Sequence, residues 1–245
     1  MGSVTLYTQE ARQLLAAGSV VRVRAMDMPR DENGETAAFG VGTYAPTKVD
    51  KDGEEYPDDD VFGIYSLDGD WGMPLRQPGS VVACREPWAC ERKSTDTCTD
   101  EEVEINPGHF TIWRQSQCFD GGKELFNTNF LGKWRSASTM PAWAVRPEFR
   151  ECRVASVDLK RVQEVTADEC KAAGFDVTYF EMCSEQERYF RGKSDCTSTC
   201  DMIVRNFRRD FDARNKPGRR WDDNPYVTVE RIERFATPRA GEEGK

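Results

Sequence analysis

Alternation of apolar and polar residues along the chain predicts a strand-rich fold. Residues 20–25 alternate valine with arginine, which is the period of two expected of a half-buried strand. Other stretches of branched and aromatic residues, bounded by glycine, proline or aspartate, have the length and composition of strands. These further predicted strands cover residues 39–44, 61–67, 81–85, 110–114, 149–165 and 226–235.

Helical spacing predicts only three helices. Apolar residues recur three and four apart over 8–17, and this helix ends at a glycine. Thr166 and Glu169 have the spacing of a capping box, which predicts a second, short helix ending at Gly174. Residues 199–214 place apolar side chains on one face and arginines on the other, which indicates an amphipathic helix.

Strands with few helices between them predict a mainly β (α+β) fold whose sheet closes, or nearly closes, into a barrel. Three polar segments interrupt the pattern, and we interpret residues 48–60, 91–104 and 175–200 as insertions around the barrel. We expect one domain over residues 1–236, followed by a disordered tail over 237–245.

Length and composition indicate the size of the domain and its cellular location. The chain has 245 residues, of which 31% are charged, and a mean hydropathy of −0.71. That length is sufficient for one sizeable domain. No run approaches the roughly 20 apolar residues of a membrane span, and the first residues lack the basic and apolar regions of a secretory signal. We therefore expect no membrane association and a cytoplasmic location.

Charge is unevenly distributed along the sequence. The net charge of −9 argues against nucleic acid wrapping the whole surface, but it permits a local basic cleft. Acidic residues dominate 50–60, whereas 203–220 contains seven lysines and arginines. Both runs are typical of a solvated surface, and the basic run is also typical of a phosphate-binding face. The arginines predicted to track phosphates are Arg205, Arg208, Arg209, Arg219 and Arg220.

Nine cysteines suggest zinc as an alternative to buried free thiols. Cys183, Cys196 and Cys200 could together supply three thiolates, and Cys90 with Cys98 forms another candidate pair. Zinc fingers normally contain tight C-x2-C pairs, and the sequence has none. Without an export signal a reducing compartment is expected, so the prediction is free cysteines with no metal and no cofactor.

Residues 133–146, KWRSASTMPAWAVR, bring two tryptophans close to two arginines in the sequence. The Met-Pro step in the middle excludes one regular helix. Indole rings are costly to expose, so Trp134 and Trp143 should lie on the core or on a ligand. Arginine beside an aromatic ring suits a stacked base or a phosphate, which makes Arg135 and Arg146 candidate ligand-binding residues.

This segment resembles the W-R-P-S-x-x-M-P-R-W-A-S-R motif of phage and prophage ASCH-domain proteins, named for activating-signal-cointegrator homology. Three other segments resemble motifs of the same group in the same order, and together the four are spread over roughly residues 14–235. They are PGSVVACREPW at 78–88, VASVDLKRVQEVTADECKAAG at 154–174 and WDDNPYV at 221–227. The resemblance implies a PUA-like β-barrel with short flanking helices, and RNA or nucleotide binding.

Some small bacterial ASCH-domain proteins are amidohydrolases, and the catalytic groups that the resemblance implies are a lysine, a threonine and a glutamate. In one register the lysine and threonine positions fall on Val20 and Val23, and in another they fall on Ser19 and Arg22. The glutamate position falls on Ala173. Valine and alanine can neither transfer protons nor attack a carbonyl. We therefore expect a binding protein and no enzyme.

The expected function is a phage-encoded module that binds RNA, single-stranded DNA or a modified nucleotide in a Trp/Arg cleft, in the host cytoplasm. One alternative is a hydrolase of modified bases with relocated groups, in which Glu86 is the candidate carboxylate. Another alternative is a phage accessory protein that binds a host nucleic-acid enzyme through the acidic run at 50–60. The predicted ligand-binding residues are Arg24, Arg85, Glu86, Trp88, Trp134, Arg135, Trp143, Arg146, Trp221 and Asn224.

Overall fold

The structure is a computed structural model that combines α-helices with a larger number of β-strands. None of its described helices is both long and apolar enough to cross a membrane. It describes residues 2–49, 51–52, 54–57, 59–68, 71–90, 112–120, 123–124, 133–177 and 198–235.

The described strands are numbered in chain order from β1 to β14. The first seven are β1 (Gly2–Thr5), β2 (Ser19–Ala25), β3 (Phe39–Tyr44), β4 (Thr47–Val49), β5 (Glu55–Pro57), β6 (Val61–Ser66) and β7 (Gly72–Pro74). The others are β8 (Val81–Arg85), β9 (Trp88–Cys90), β10 (Ile112–Arg114), β11 (Phe119–Asp120), β12 (Lys123–Glu124), β13 (Cys152–Arg161) and β14 (Tyr226–Arg234). The described helices are α1 (Thr8–Ala17), α2 (Gln115–Cys118), α3 (Pro147–Arg150), α4 (Ala167–Ala172) and α5 (Thr199–Arg214).

The largest sheet has five strands in the order β1-β8-β13-β14-β2. Strand β1 runs parallel to β8, and the other neighbouring pairs are antiparallel. Strands β1 and β2 are therefore the two edges, although they follow each other in the sequence. The intervening helix α1 carries the chain from one edge to the other.

The two edges of this sheet are joined by side-chain hydrogen bonds. Arg22 Nε and Arg24 Nη2 on β2 donate hydrogen bonds of 3.1 and 3.2 Å to the carbonyl oxygen of Thr5 on β1. Within the described residues no backbone ladder joins the edges, so the closed barrel expected from the sequence is not found there. Guanidinium groups bridge the gap instead.

Apolar cores lie on both faces of the five-stranded sheet. One core contains Val20 and Ile232 and packs against α1 and Trp88. The other contains Val21 and Val227 and packs against α4 and α5. Since successive residues of a strand point to opposite faces, neighbouring apolar residues of β2, such as Val20 and Val21, belong to different cores. The sheet is thus covered on both sides.

A smaller sheet, with strand order β3-β6-β7, supplies one wall of the site described below. Its strands fit closely because Tyr44 lies over Gly63 and Gly72, where no larger side chain would fit. Leu75 N donates to Phe62 O at 2.8 Å, which ties the end of β7 to β6. The chain then continues through Arg76 towards β8.

Most predicted elements are confirmed, including the helices 8–17 and 199–214 with the same bounds. The Thr166–Glu169 capping box is also present, with Thr166 Oγ1 accepting from Glu169 N at 3.2 Å. A single strand over 149–165 is wrong. Its first residues belong to α3, because Pro147 favours a first helical turn, and residues Val162–Glu164 form a 3-10 turn. The predicted bulge falls between Val154 and Ser156.

Gly174 offers a test of the contact between α4 and α1. Its φ is +93°, and a Cβ there would lie 2.8 Å from the carbonyl oxygen of Gln9. Gly218 has a similar φ of +86° but nothing within 4 Å of the same position. We expect Gly218→Ala to lower the free energy of unfolding by about 1 kcal/mol, and Gly174→Ala by about 2 kcal/mol or more, because it adds a backbone collision. Urea denaturation measures both, and equal effects would contradict the close approach.

Candidate functional site

Polar residues occupy one end of a sheet face that is apolar at its other end. In the β2–β14 ladder, Val20 is opposite Ile232, Arg22 is opposite Glu230 and Arg24 is opposite Thr228. All of these residues point to the same face because they are two apart on each strand. The valine–isoleucine pair belongs to the core, whereas the two polar pairs line a cavity. The alternation of β2 therefore positions two arginines side by side.

The cavity has a volume of about 430 Å³, which is within the range of small-molecule sites. Its floor consists of polar groups from β2 and β14, and one wall consists of apolar residues at the end of β7. The lining residues are Arg22, Arg24, Met26, Pro74, Leu75, Arg76, Thr228 and Glu230.

Glu230 is held between two arginines in this cavity. Arg22 Nη1 lies 2.5 Å from one carboxylate oxygen, and Arg76 Nη1 lies 3.0 Å from the other. Glu230 is only 3% exposed and Arg22 is 9% exposed. Charge-assisted hydrogen bonds between such desolvated groups are the stronger kind, so this trio is rigidly arranged.

Arg24 is almost fully committed to the protein itself. Its Nη1 donates to Glu10 Oε1 and Val23 O, and its Nη2 donates to Glu10 Oε2 and Thr5 O. Of its five N–H groups only that of Nε has no bond of this kind in the described structure. Arg24 therefore mainly supports the cavity, whereas Arg22 and Arg76 are the better donors to a ligand.

Donors remain on those two arginines. Arg22 uses Nε and one Nη1 hydrogen, for Thr5 O and Glu230. Arg76 uses one hydrogen on each Nη, for Glu230 and Ser3 O. Three N–H groups on each are thus uncommitted within the described part of the chain. A ligand bearing oxygen acceptors could bind these groups without breaking the existing network.

An aromatic ring fixes Arg24 from the side of α5. Tyr7 lies between two guanidinium groups, with Arg24 4.1 Å and Arg214 3.9 Å from its ring centroid. Arg214 forms an ion pair with Asp210, which also accepts a 3.3 Å hydrogen bond from Gln9. Cation–π contacts of this kind restrict both arginines, so α5 contributes to the geometry of the cavity.

The buried charges influence each other's protonation. Burial alone would raise the pKa of Glu10, but the charge and hydrogen bonds of Arg24 outweigh burial and lower that pKa below its ordinary 4.5. Burial lowers the pKa of Arg22, and the neighbouring Arg24 charge lowers it further. Additional negative charge beside Arg22 would therefore be favourable. The chemistry of the site suits an anionic group.

The predicted ligand-binding residues are not brought together in one cleft. Arg24 lines the cavity, while a second set surrounds Glu86. Glu86 is 1% exposed, accepts a 2.5 Å bond from Arg146 Nε and is also bonded to Ser116 Oγ. Its sequence neighbour Arg85 donates to Ser138 O at 3.2 Å. Glu86, the candidate catalytic carboxylate, is thus enclosed by its own partners.

The tryptophans of this second set mainly contact the core. Trp88 is fully buried and donates through Nε1 to Thr139 Oγ1 at 3.3 Å. Arg135 lies 4.7 Å from its ring centroid. Trp143 packs against the same core, and Trp134 is half-buried. Two 3-10 turns separated at Met140 confirm that this segment is not one helix.

Trp221 and Asn224 lie in a third location, beside α5. Trp221 packs against the second core, with its ring centroid 6.1 Å from that of Phe207. Asn224 has a left-handed φ of 45°, and its side chain accepts a 3.2 Å hydrogen bond from Gln163 N. The first contact joins the loop before β14 to α5, and the second joins it to the 3-10 turn that follows β13. These two residues stabilise the fold at this position.

Part of the basic run on and after α5 is paired with carboxylates. Arg208 forms hydrogen bonds of 2.7 and 2.9 Å to Asp222, and Arg219 is paired with Asp27. Arg220 Nε donates to Asn215 O at 3.5 Å. Arg205 is exposed and has an interaction partner of its own. Arg209 is exposed on the same helix.

The other sequence-based sites fall partly outside the described residues. Cys183, Cys196 and Cys98 lie there, as do Asp50 and Asp58 of the acidic run. Cys200 is an exposed free cysteine. Among the described residues no group of three potential metal ligands comes together.

Sequence reasoning missed most of the residues that line the cavity. Arg22 was noted only as a possible position of a lost threonine, and Arg76, Thr228 and Glu230 were not singled out. A signal did exist in the alternation of polar and apolar residues in both strands. Only the register between β2 and β14 shows that these polar residues face each other.

No family model, curated protein or solved structure matches the chain.

The Glu10–Arg24 pair predicts how stability depends on pH. Because folding lowers the pKa of Glu10 below 4.5, its contribution is present above that value and is lost as the pH falls through the folded-state pKa. We expect Glu10→Gln to lower the free energy of unfolding by about 3 kcal/mol at neutral pH, since Arg24 loses its partner. The difference in free energy of unfolding between wild type and Glu10→Gln, measured by urea denaturation, should become smaller at acidic pH.

The matched control is Glu233→Gln, which removes a more exposed carboxylate paired with Arg153 at 2.9 Å. This change should lower the free energy of unfolding by less than about 1 kcal/mol. If the difference in free energy of unfolding between wild type and Glu10→Gln stays constant into the acidic range, the pKa of Glu10 is not lowered by folding.

Proposed function

We propose that this protein is a nucleotide-binding module, and that its ligand occupies the cavity between β2, β14 and Arg76. The observation that carries the proposal is the uncommitted set of N–H donors on Arg22 and Arg76, held in place by Glu230. Arginine forks of this kind are well suited to the oxygens of a phosphate or a base.

The apolar side of the cavity supports a ligand with a flat ring. Met26, Pro74 and Leu75 line it opposite the polar floor, and apolar walls with a few placed polar groups are typical of small-molecule sites. Thr228 adds a hydroxyl that can donate or accept. A nucleoside presents both a flat apolar face and polar edges, so it matches both halves of the cavity.

The resemblance to ASCH-domain proteins points to the same function, and we propose membership of that group with a PUA-like arrangement of strands. In one register the positions that would carry catalysis hold buried apolar side chains at Val20, Val23 and Ala173. In the other register the lysine and threonine positions hold Ser19 and Arg22, so neither register restores the pair. Their chemistry supports a role in binding. RNA or single-stranded DNA remains a candidate source of the nucleotide.

The ligand is thus expected to bind in the cavity and not beside Trp134. Trp88 and Glu86 are buried there with protein partners, whereas the cavity presents donors that have none within the described residues. The two locations make different predictions for substitutions, so they can be separated by experiment.

Substitution of Arg76 tests the location of the ligand. Arg76 lies in a loop and its side chain is 34% exposed, so Arg76→Gln should fold. We expect it to weaken nucleotide binding roughly 10- to 100-fold, because a charged hydrogen-bond donor is lost. Equilibrium binding of the common ribonucleotides, measured by calorimetry, provides the dissociation constants. The matched control Arg153→Gln removes an exposed arginine outside the cavity and should leave them unchanged.

Trp134→Ala is the competing test. If the ligand stacked on Trp134, this change would weaken binding by about 1–3 kcal/mol. We expect no change in affinity. Weakening by Trp134→Ala together with no effect of Arg76→Gln would place the ligand in the tryptophan cleft and contradict the proposal.

A further inference from the structure

The charges that line the cavity do not cancel. Arg22 and Arg76 share the single carboxylate of Glu230, which leaves one positive charge in this trio. Arg24 is balanced by Glu10 in a pair whose shortest contact is 2.6 Å. Behind Tyr7, Arg214 is balanced by Asp210. The described groups at the cavity therefore carry one net positive charge.

We infer that the cavity selects a ligand group with a single negative charge spread over two oxygens, and that Glu230 is the residue that sets this selectivity. The inference rests on the proposed function, since it concerns the ligand of the same cavity. A phosphodiester and a carboxylate both have the required charge and shape. A phosphomonoester carries about two negative charges above pH 6.

The physical reason is that an unbalanced charge in a desolvated site is unfavourable. A monoanion beside Arg22 and Arg76 brings the trio to neutrality. A dianion would leave one negative charge in excess, and it would lie close to the Glu230 carboxylate. Glu230 cannot move away at low cost, because both of its oxygens are engaged by arginines and it is 3% exposed.

The geometry adds a shape requirement to the charge requirement. Arg22 and Arg76 bind different oxygens of Glu230, and each retains N–H groups with no partner among the described residues. Two donors on separate arginines suit two acceptor oxygens on one group. Both a phosphodiester and a carboxylate present such a pair of oxygens.

Cyclic nucleotides provide matched probes for the experiment. A nucleoside 3′,5′-cyclic monophosphate is a monoanionic diester, and the 5′-monophosphate of the same nucleoside is a dianion at pH 8 of nearly equal size. Dissociation constants are measured for both forms of each common ribonucleoside, and the ratio is taken within each nucleoside. A nucleoside 5′-carboxylate forms a third arm, which distinguishes a carboxylate ligand from a phosphodiester.

For the wild-type protein we expect the monoanion to bind at least about tenfold more tightly than the dianion. Glu230→Gln adds one positive charge while it preserves shape, so it should reduce this ratio by about tenfold or reverse it. Glu233→Gln, on the same strand but outside the cavity, should leave the ratio unchanged. Arg76→Gln removes a positive charge and should increase the preference for the monoanion while it weakens both ligands.

The outcomes separate this inference from the proposed function. If the dianion binds as tightly as the monoanion, or if Glu230→Gln leaves the ratio unchanged, the charge selectivity is wrong although the cavity still binds nucleotides. If Glu230→Gln fails to fold, the inference is tested with Arg76→Gln instead. A ratio of dianion to monoanion dissociation constants that is the same in Arg76→Gln as in wild type overturns the inference. If no nucleotide binds in any arm, both the inference and the proposed function fail.

Discussion

The carbonyl group of Thr5 is the constraint around which the site is arranged. It lies at the end of an edge strand, where no described strand provides an N–H, and Arg22 and Arg24 donate to it from the opposite edge. Thr5 is half-buried, and backbone carbonyls away from water need partners, so side chains supply what the ladder does not. Bringing two guanidinium groups into the interior then requires buried carboxylates, and Glu10 and Glu230 meet that need.

Local patterns were sufficient to predict most of the elements. The apolar spacing and Gly18, which adopts a left-handed φ of 75°, predict the bounds of α1. The amphipathic pattern predicts the bounds of α5, and the structure adds Ser198 as its cap. Strand β1 was missed because its four residues, Gly2–Thr5, are too short to show a period. Its position comes from parallel pairing with β8, which is a tertiary contact. The same limit applies to the two- and three-residue strands.

The site was harder to predict than the fold, for a physical reason. Trp88, Trp143 and Trp221 stand out in a sequence because they are rare and large, but large aromatic rings are first of all core residues, and here they pack on the cores. Arg24 was identified through its motif, although most of its donors are committed to Glu10 and to backbone carbonyls. Thr228 and Glu230 belong to no recognisable motif. They line the cavity because the register of β2 and β14 places them opposite Arg24 and Arg22.

The cavity joins the two ends of the chain, since Arg22 and Glu230 are separated by 208 positions. Contacts of such high sequence separation are slow to form, because a long loop must close before they become favourable. The cavity can therefore assemble only when β14 has paired with β2. A chain without β14 lacks Thr228 and Glu230 and cannot present the site at all. Any ligand that recognises the cavity would thus bind only molecules in which β14 is paired with β2, and would stabilise only that state.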